Sequence, residues 1–104
     1  MKICGLNDQA SVEAAIASGA DWLGFVFFER SPRHVTLDQA RRLTHAASAL
    51  RGRRVGLFVK APNDAITRTL DAVELDILQI YDTPQRAREI REHFRLPVWL
   101  ACAI

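Results

Sequence analysis

Four short stretches of this chain carry side chains suited to chemistry. The pair Cys4-Gly5 offers a thiol that acts as nucleophile or base where its surroundings lower its pKa, beside a glycine that permits a sharp turn or a close approach by a ligand. On position alone Cys4 reads instead as a small buried hydrophobe, the commonest fate of a free cysteine. The stretch Glu29-Arg30-Ser31-Pro32-Arg33-His34 sets two arginines beside a rigid proline, a pattern suited to gripping a carboxylate or phosphate through paired hydrogen bonds. It reads as readily as a solvated charged loop. His34 has the pKa range of an acid or base, although a lone loop histidine is more often surface, and His45 and His93 read as surface residues of helices. Lys60 and the segment Gln79 to Asp82 complete the set. The basic run Arg51-Gly52-Arg53-Arg54 reads as a solvated loop. Cys102 falls within a strand and needs no role. The two cysteines lie far apart without CxxC spacing, so neither a zinc site nor a disulfide framework is indicated and both are expected to be free thiols. No glycine-rich phosphate cradle of the GxGxxG or Walker kind is present, which argues against nucleotide binding.

These residues matter because of the elements that precede them. Short apolar runs at Lys2 to Cys4, Trp22 to Phe28, Val55 to Val59, Asp76 to Ile80 and Val98 to Ile104 read as buried strands. Between them the apolar period changes to that of helices. Val12, Ala15 and Ile16 share a face that stops at Gly19, with Asn7 or Asp8 as cap. Thr36 and Gln39 form a capping box before Leu37, Ala40, Leu43, Ala47 and Leu50. Asn63 after Pro62 opens a third helix with Ile66, Leu70 and Val73 inward; Thr83-Pro84 opens a fourth with Ala87, Ile90 and Phe94 inward and Arg88 paired with Glu92 outside. The resulting order β-α-β-α-β-α-β-α-β predicts right-handed βαβ units and a parallel sheet, treated as one unit over residues 1–104 without an internal boundary. In such sheets function gathers at the C-terminal ends of the strands, which is where Cys4, Arg33, Lys60 and Gln79 fall. The bare apolar run at the end leaves a sheet edge seeking a partner and suggests the front half of something longer.

Composition narrows the classes. The chain has 104 residues, 49% of them hydrophobic and 25% charged, as in ordinary globular domains. Its length is too short for a complete eight-fold α/β barrel of roughly 200 residues or more. A formal net charge of +2 is too small for the footprint of a nucleic-acid binder. No apolar run approaches the roughly 18 residues of a membrane helix, and no signal-peptide pattern opens the chain, so a cytoplasmic location is expected.

Taken in order, Lys2-Ile3-Cys4-Gly5-Leu6, Ser18-Gly19-Ala20-Asp21-Trp22-Leu23-Gly24-Phe25-Val26-Phe27 running into Ser31-Pro32-Arg33-His34-Val35, then Val55-Gly56-Leu57-Phe58-Val59, then Leu78-Gln79 resemble phosphoribosylanthranilate isomerase of tryptophan biosynthesis. The resemblance implies half of a TIM (β/α)8 barrel, with about five strands and four helices. It implies the Amadori rearrangement of N-(5-phosphoribosyl)anthranilate to 1-(2-carboxyphenylamino)-1-deoxyribulose 5-phosphate, with no metal and no organic cofactor. It makes Cys4 the general base and Arg33 the holder of the anthranilate carboxylate, with Gln79 lining the pocket. The family's acidic residue and its glycine-rich phosphate loops have no counterpart in this chain, so the chain alone is expected to be inactive. Where the family continues Leu-His-Gly after Leu78-Gln79, this chain has Ile80-Tyr81-Asp82 and a loop about two residues shorter, and Leu100 stands where a lysine is common. The expected partner is a small phosphosugar, with neither nucleic acid nor membrane; the unpaired sheet edges also suit self-association of a non-catalytic half-barrel. Another phosphosugar enzyme on the same barrel is the remaining alternative.

Overall fold

A computed structural model describes residues 2–48 and 53–101. Its strands are β1 (Lys2–Cys4), β2 (Trp22–Val26), β3 (Arg54–Val59), β4 (Ile77–Tyr81) and β5 (Val98–Ala101), alternating with helices α1 (Gln9–Ala17), α2 (Leu37–Ala46), α3 (Asn63–Ala72) and α4 (Pro84–Phe94). All four strand pairings are parallel and the sheet order follows the chain, β1-β2-β3-β4-β5. This is the alternating parallel architecture expected of the apolar runs and helical stripes, and it matches the half-barrel that the resemblance implies.

Local chemistry sets the element ends. Asp8 caps α1 by accepting from the Ser11 N–H at 2.7 Å, and the helix stops in a left-handed turn at Gly19 (φ 82°). There the N–H groups of Gly19 and Ala20 bond back to Ile16 and Ala15. Thr36 and Gln39 form the reciprocal capping box of α2 at 3.1 and 2.9 Å. Pro84 opens α4 beneath the Thr83 cap. Two details differ from the sequence reading. On α4 the ion pair among the described residues is Arg86 with Glu89 at 3.9 Å rather than Arg88 with Glu92. Strand β2 ends at Val26, and Phe27 leaves the strand to stack on Phe58, with ring centroids 5.4 Å apart. Leu50 and Cys102 lie outside the described residues.

The sheet has two unlike faces. On one, Leu23, Phe25, Phe58, Leu78 and Ile80 pack beneath Val12, Ala40, Leu43, Ile66, Ala87 and Ile90 of the four helices and form the main core. The strand period of two sends Lys2, Cys4, Trp22, Val26, Val55, Leu57, Ile77, Gln79, Tyr81 and Trp99 to the other. A smaller cluster of Val55, Leu57 and Ile77 with Trp22, Val26, Tyr81 and Trp99 sits there. This second face is concave. Lys2 on β1 donates a hydrogen bond to Gln79 on β4, and Trp22 meets Trp99 edge-on at 5.7 Å; a flat sheet would hold β1 and β4 about 14 Å apart. The strand edges of β1 and β5 are unpaired among the described residues, and Leu100 on β5 is 44% exposed.

The run of arginines before β3 departs most from expectation. Arg54 is not in a solvated loop: it begins β3 and is 3% exposed. Its Nε donates to Asp76 Oδ2 at 2.9 Å and its Nη2 to Oδ1 at 3.4 Å, while Nη1 reaches the Thr44 carbonyl at 3.3 Å and Glu74 at 3.4 Å. The two main chains are tied as well, through Arg54 N–H to Asp76 Oδ2 at 3.0 Å and Asp76 N–H to the Arg54 carbonyl at 2.8 Å. Burial pushes the guanidinium down, and the hydrogen bonds and charge of Asp76 and Glu74 more than reverse that, leaving its pKa raised. Asp76, expected to begin the fourth strand, is instead the partner that makes this burial tolerable.

Candidate active site

The C-terminal ends of the strands hold the residues singled out in the sequence, and the chain's turns bring two of them together. After β1 the backbone turns at Gly5 (φ 77°), a conformation glycine adopts without strain. The Gly5 N–H closes onto the Gly24 carbonyl at 3.0 Å. After β2, Ser31 bonds back to Phe28, His34 to Ser31, and Val35 to Val26, each at 3.0 to 3.1 Å, so the segment folds over the end of its own strand. This lays Arg33 across Gly5. A methyl group built on Gly5 would stand 2.4 Å from Arg33 Cδ and 3.3 Å from Nη1. Only a residue without a side chain lets the guanidinium stem pass here.

Cys4 is exposed, not the buried hydrophobe its position alone predicts. The physical reason is its place on an edge strand, with its side chain on the concave face that no helix covers. Its Sγ rests against β2, where a methyl on Gly24 would lie 3.1 Å from it. A free thiol and a guanidinium therefore flank one glycine, the first reachable by solvent and the second also exposed. Such a pair can hold an anionic group and present sulfur to a neighbouring atom.

The other expected residues are arranged differently. His34 is half-buried and lines a separate cavity of about 320 Å³ with Phe27, Glu29, Thr36 and Arg68 on the helix-covered side. His45 and His93 are exposed on α2 and α4. Gln79 lies on the concave face with its amide engaged at both ends, its Oε1 accepting from Lys2 and its Nε2 donating to the Tyr81 hydroxyl at 3.2 Å. Lys60 is exposed in left-handed backbone (φ 47°), its N–H bonded to the Tyr81 carbonyl at 3.2 Å. Arg86 of α4 secures the following turn through the Ala61 carbonyl at 3.0 Å and Asn63 at 2.7 Å.

Two of these residues carry structure that the motif reading passed over, Lys2 and Arg86. The period of two did place Lys2 on the face of Cys4, but its partner is 77 positions away. A cavity of about 340 Å³ at the opposite end of the sheet is lined by Arg41, His45, Arg54, Asp71 and Glu74 and shares no residue with the Cys4 site. Among the described residues no three His, Cys, Asp or Glu side chains gather as metal ligands, and no helix is long and apolar enough to cross a membrane.

The comparisons agree with this architecture. A family model described as N-(5'-phosphoribosyl)anthranilate (PRA) isomerase matches residues 1–103. An N-(5'-phosphoribosyl)anthranilate isomerase of Granulibacter bethesdensis is 50% identical over the whole chain, which covers 50% of that relative. Among solved structures, a phosphoribosylanthranilate isomerase of Thermotoga maritima is 33% identical with a TM-score of 0.81, covering 95% of this chain and 50% of that one. A second, 31% identical with a TM-score of 0.80 over 95% of this chain and 50% of its own, was solved in complex with reduced 1-(o-carboxyphenylamino)-1-deoxyribulose 5-phosphate. The chain thus spans about half the length of the relatives it matches. With five parallel strands in chain order, four covering helices and a match along residues 1–103, it belongs to the phosphoribosylanthranilate isomerase family.

Proposed function

We propose that this chain carries the base and the carboxylate clamp of a phosphoribosylanthranilate isomerase and completes the reaction only with a second (βα) half. The observation that carries this reading is the passage of Arg33 across Gly5, which sets a guanidinium beside the one residue separating it from Cys4. In the reaction, an acid protonates the ribose ring oxygen and the C1–O bond breaks, opening the ring to an imine. A base then removes the proton from C2, the electron pair of the C–H bond forms the C1=C2 double bond of the enolamine as the C1=N π pair moves onto nitrogen, and the enolamine tautomerises to the aminoketone. Cys4, as thiolate, takes the C2 proton. Arg33 holds the anthranilate carboxylate by two parallel hydrogen bonds, a task to which a planar guanidinium is better shaped than an ammonium. Gln79 lines the floor of the same concave face. The acid and the phosphate-binding loops belong to the second half, so the 104-residue chain by itself has negligible turnover.

The test joins this chain to the second half of the Granulibacter bethesdensis relative and follows loss of the anthranilate-linked substrate. The hybrid is expected to isomerise, and Cys4→Ala in it to lose about 10²- to 10⁴-fold in rate, the usual worth of a general base. An unchanged rate in Cys4→Ala removes Cys4 from the role, and turnover by the unjoined chain overturns the claim of incompleteness.

A second reading rests on the sheet edges. The unpaired strand β5 presents Leu100 beside a groove lined by Pro84, Ala87, Arg88, Arg91 and Val98, a surface suited to a further strand and helix. In this reading the half-barrel pairs with another half without catalysis. Sedimentation equilibrium separates the two, because a strictly monomeric, folded chain contradicts it.

A further inference from the structure

We infer that Tyr81 donates a hydrogen bond to an acceptor oxygen of the bound ligand, and that Lys2 and Gln79 are positioning residues that aim its proton there. The inference rests on the isomerase reading above and extends it to a residue at which this chain departs from the usual Leu-His-Gly of the family.

The argument is one of donors and acceptors. An ammonium has three donors and no acceptor. Lys2 Nζ, held also 5.4 Å from the centroid of the Trp99 ring, therefore fixes which end of the Gln79 amide it meets: only Oε1 can accept. The amide nitrogen is then turned toward Tyr81, and it can only donate. The phenol oxygen, 3.2 Å away, must accept, so its own proton points elsewhere. Among the described residues nothing takes that proton. The direction of the chain Lys2 to Gln79 to Tyr81 is thus set at its charged end. Lys2, Gln79 and Tyr81 are each partly buried on the same concave face as Cys4, and Tyr81 ends β4 at the C-terminal side of the sheet. A half-buried hydroxyl with its acceptor role occupied and its donor role open is suited to one ligand feature, an oxygen with a lone pair. A sugar hydroxyl and an aromatic carboxylate both supply it.

Tyr81 is the chain's single tyrosine, so a tyrosine label at the ring carbon bearing the hydroxyl reports on it alone. The experiment follows that resonance by NMR in the 104-residue chain, first free and then titrated with reduced 1-(o-carboxyphenylamino)-1-deoxyribulose 5-phosphate, and separately with anthranilate. In the free chain, Gln79→Glu places an acceptor-only carboxylate beside the phenol and must turn its proton inward, so the resonance should move without any ligand. With ligand, the wild-type resonance should shift saturably. Tyr81→Phe and Gln79→Glu should each weaken binding about 3- to 10-fold, the usual worth of one hydrogen bond, and the double variant should lose no more than either alone. A merely structural role would not make these two losses equal and non-additive. A shift with anthranilate alone assigns the acceptor to the carboxylate; a shift only with the phosphosugar analogue assigns it to the sugar. Tyr81→Phe binding as tightly as wild type overturns the inference and leaves the isomerase reading standing. Failure of the wild-type chain to bind either probe also overturns the inference, while the isomerase reading is judged apart from it, by the turnover of the hybrid described above.

Discussion

The two ends of the same sheet treat charge in opposite ways. At the N-terminal end Arg54 is enclosed, its guanidinium shared among Asp76, Glu74 and the Thr44 carbonyl. At the C-terminal end Arg33 and Cys4 are exposed, and Lys60 is held in a left-handed conformation that a residue with a side chain seldom adopts. The first arrangement locks elements that arrive from different parts of the chain. The second leaves polar groups available, over a backbone bent to position them. Enclosed and available charge are thereby separated along the strand axis, as the parallel barrel topology favours.

The largest effect is expected at the enclosed end. Arg54→Met leaves Asp76 without its fork of donors and should cost about 3–5 kcal/mol, read as a lower urea midpoint. A loss under about 1 kcal/mol would mean the lock is ornamental. At the open end, Gly5→Ala meets both a positive φ and the Arg33 stem; it should cost about 1–3 kcal/mol and also displace Arg33, so ligand protection of Cys4 should fall with it. Preserved protection would separate the glycine from the site. Lys60→Gly should raise stability by up to about 1 kcal/mol, as relief of strain outweighs the extra chain entropy of glycine; a lower thermal midpoint would contradict this. The smallest effect concerns Asp8, whose carboxyl is held below its ordinary range chiefly by the Ser11 N–H. A depressed folded-state pKa stabilises above the unfolded value and is lost as pH falls through the folded one. Asp8→Ala should therefore lower the thermal midpoint slightly at neutral pH, and the difference should shrink in strong acid as the carboxyl takes up its proton. Equal losses at both pH values would assign the cap a role other than its charge.

What the sequence reveals depends on the range of the interaction. Capping of α1 and α2, the glycine stop after Ala17 and the proline start of α4 are settled within a few residues, and so are legible in the chain. Arg54 is not, because an arginine in a basic run looks solvated until Asp76, 22 positions on, is folded against it. The same holds for Lys2 and Gln79, which meet only once the sheet curls. Cys4 and Arg33 could be named from motifs, yet their adjacency depends on a loop that returns to its own strand through the Val26 and His34 bridge. The exposure of Cys4 follows from an uncovered concave face, which no local pattern announces.

The central claim is that Cys4 and Arg33 form one ligand site. The most direct test measures the rate at which iodoacetamide alkylates Cys4 in a Cys102→Ser background, with and without saturating anthranilate, in chains carrying Arg33 or Arg33→Met. The account predicts that anthranilate slows alkylation when Arg33 is present and has no effect when it is replaced. Alkylation that anthranilate leaves unchanged in the Arg33 chain, or slows equally in both, would contradict it.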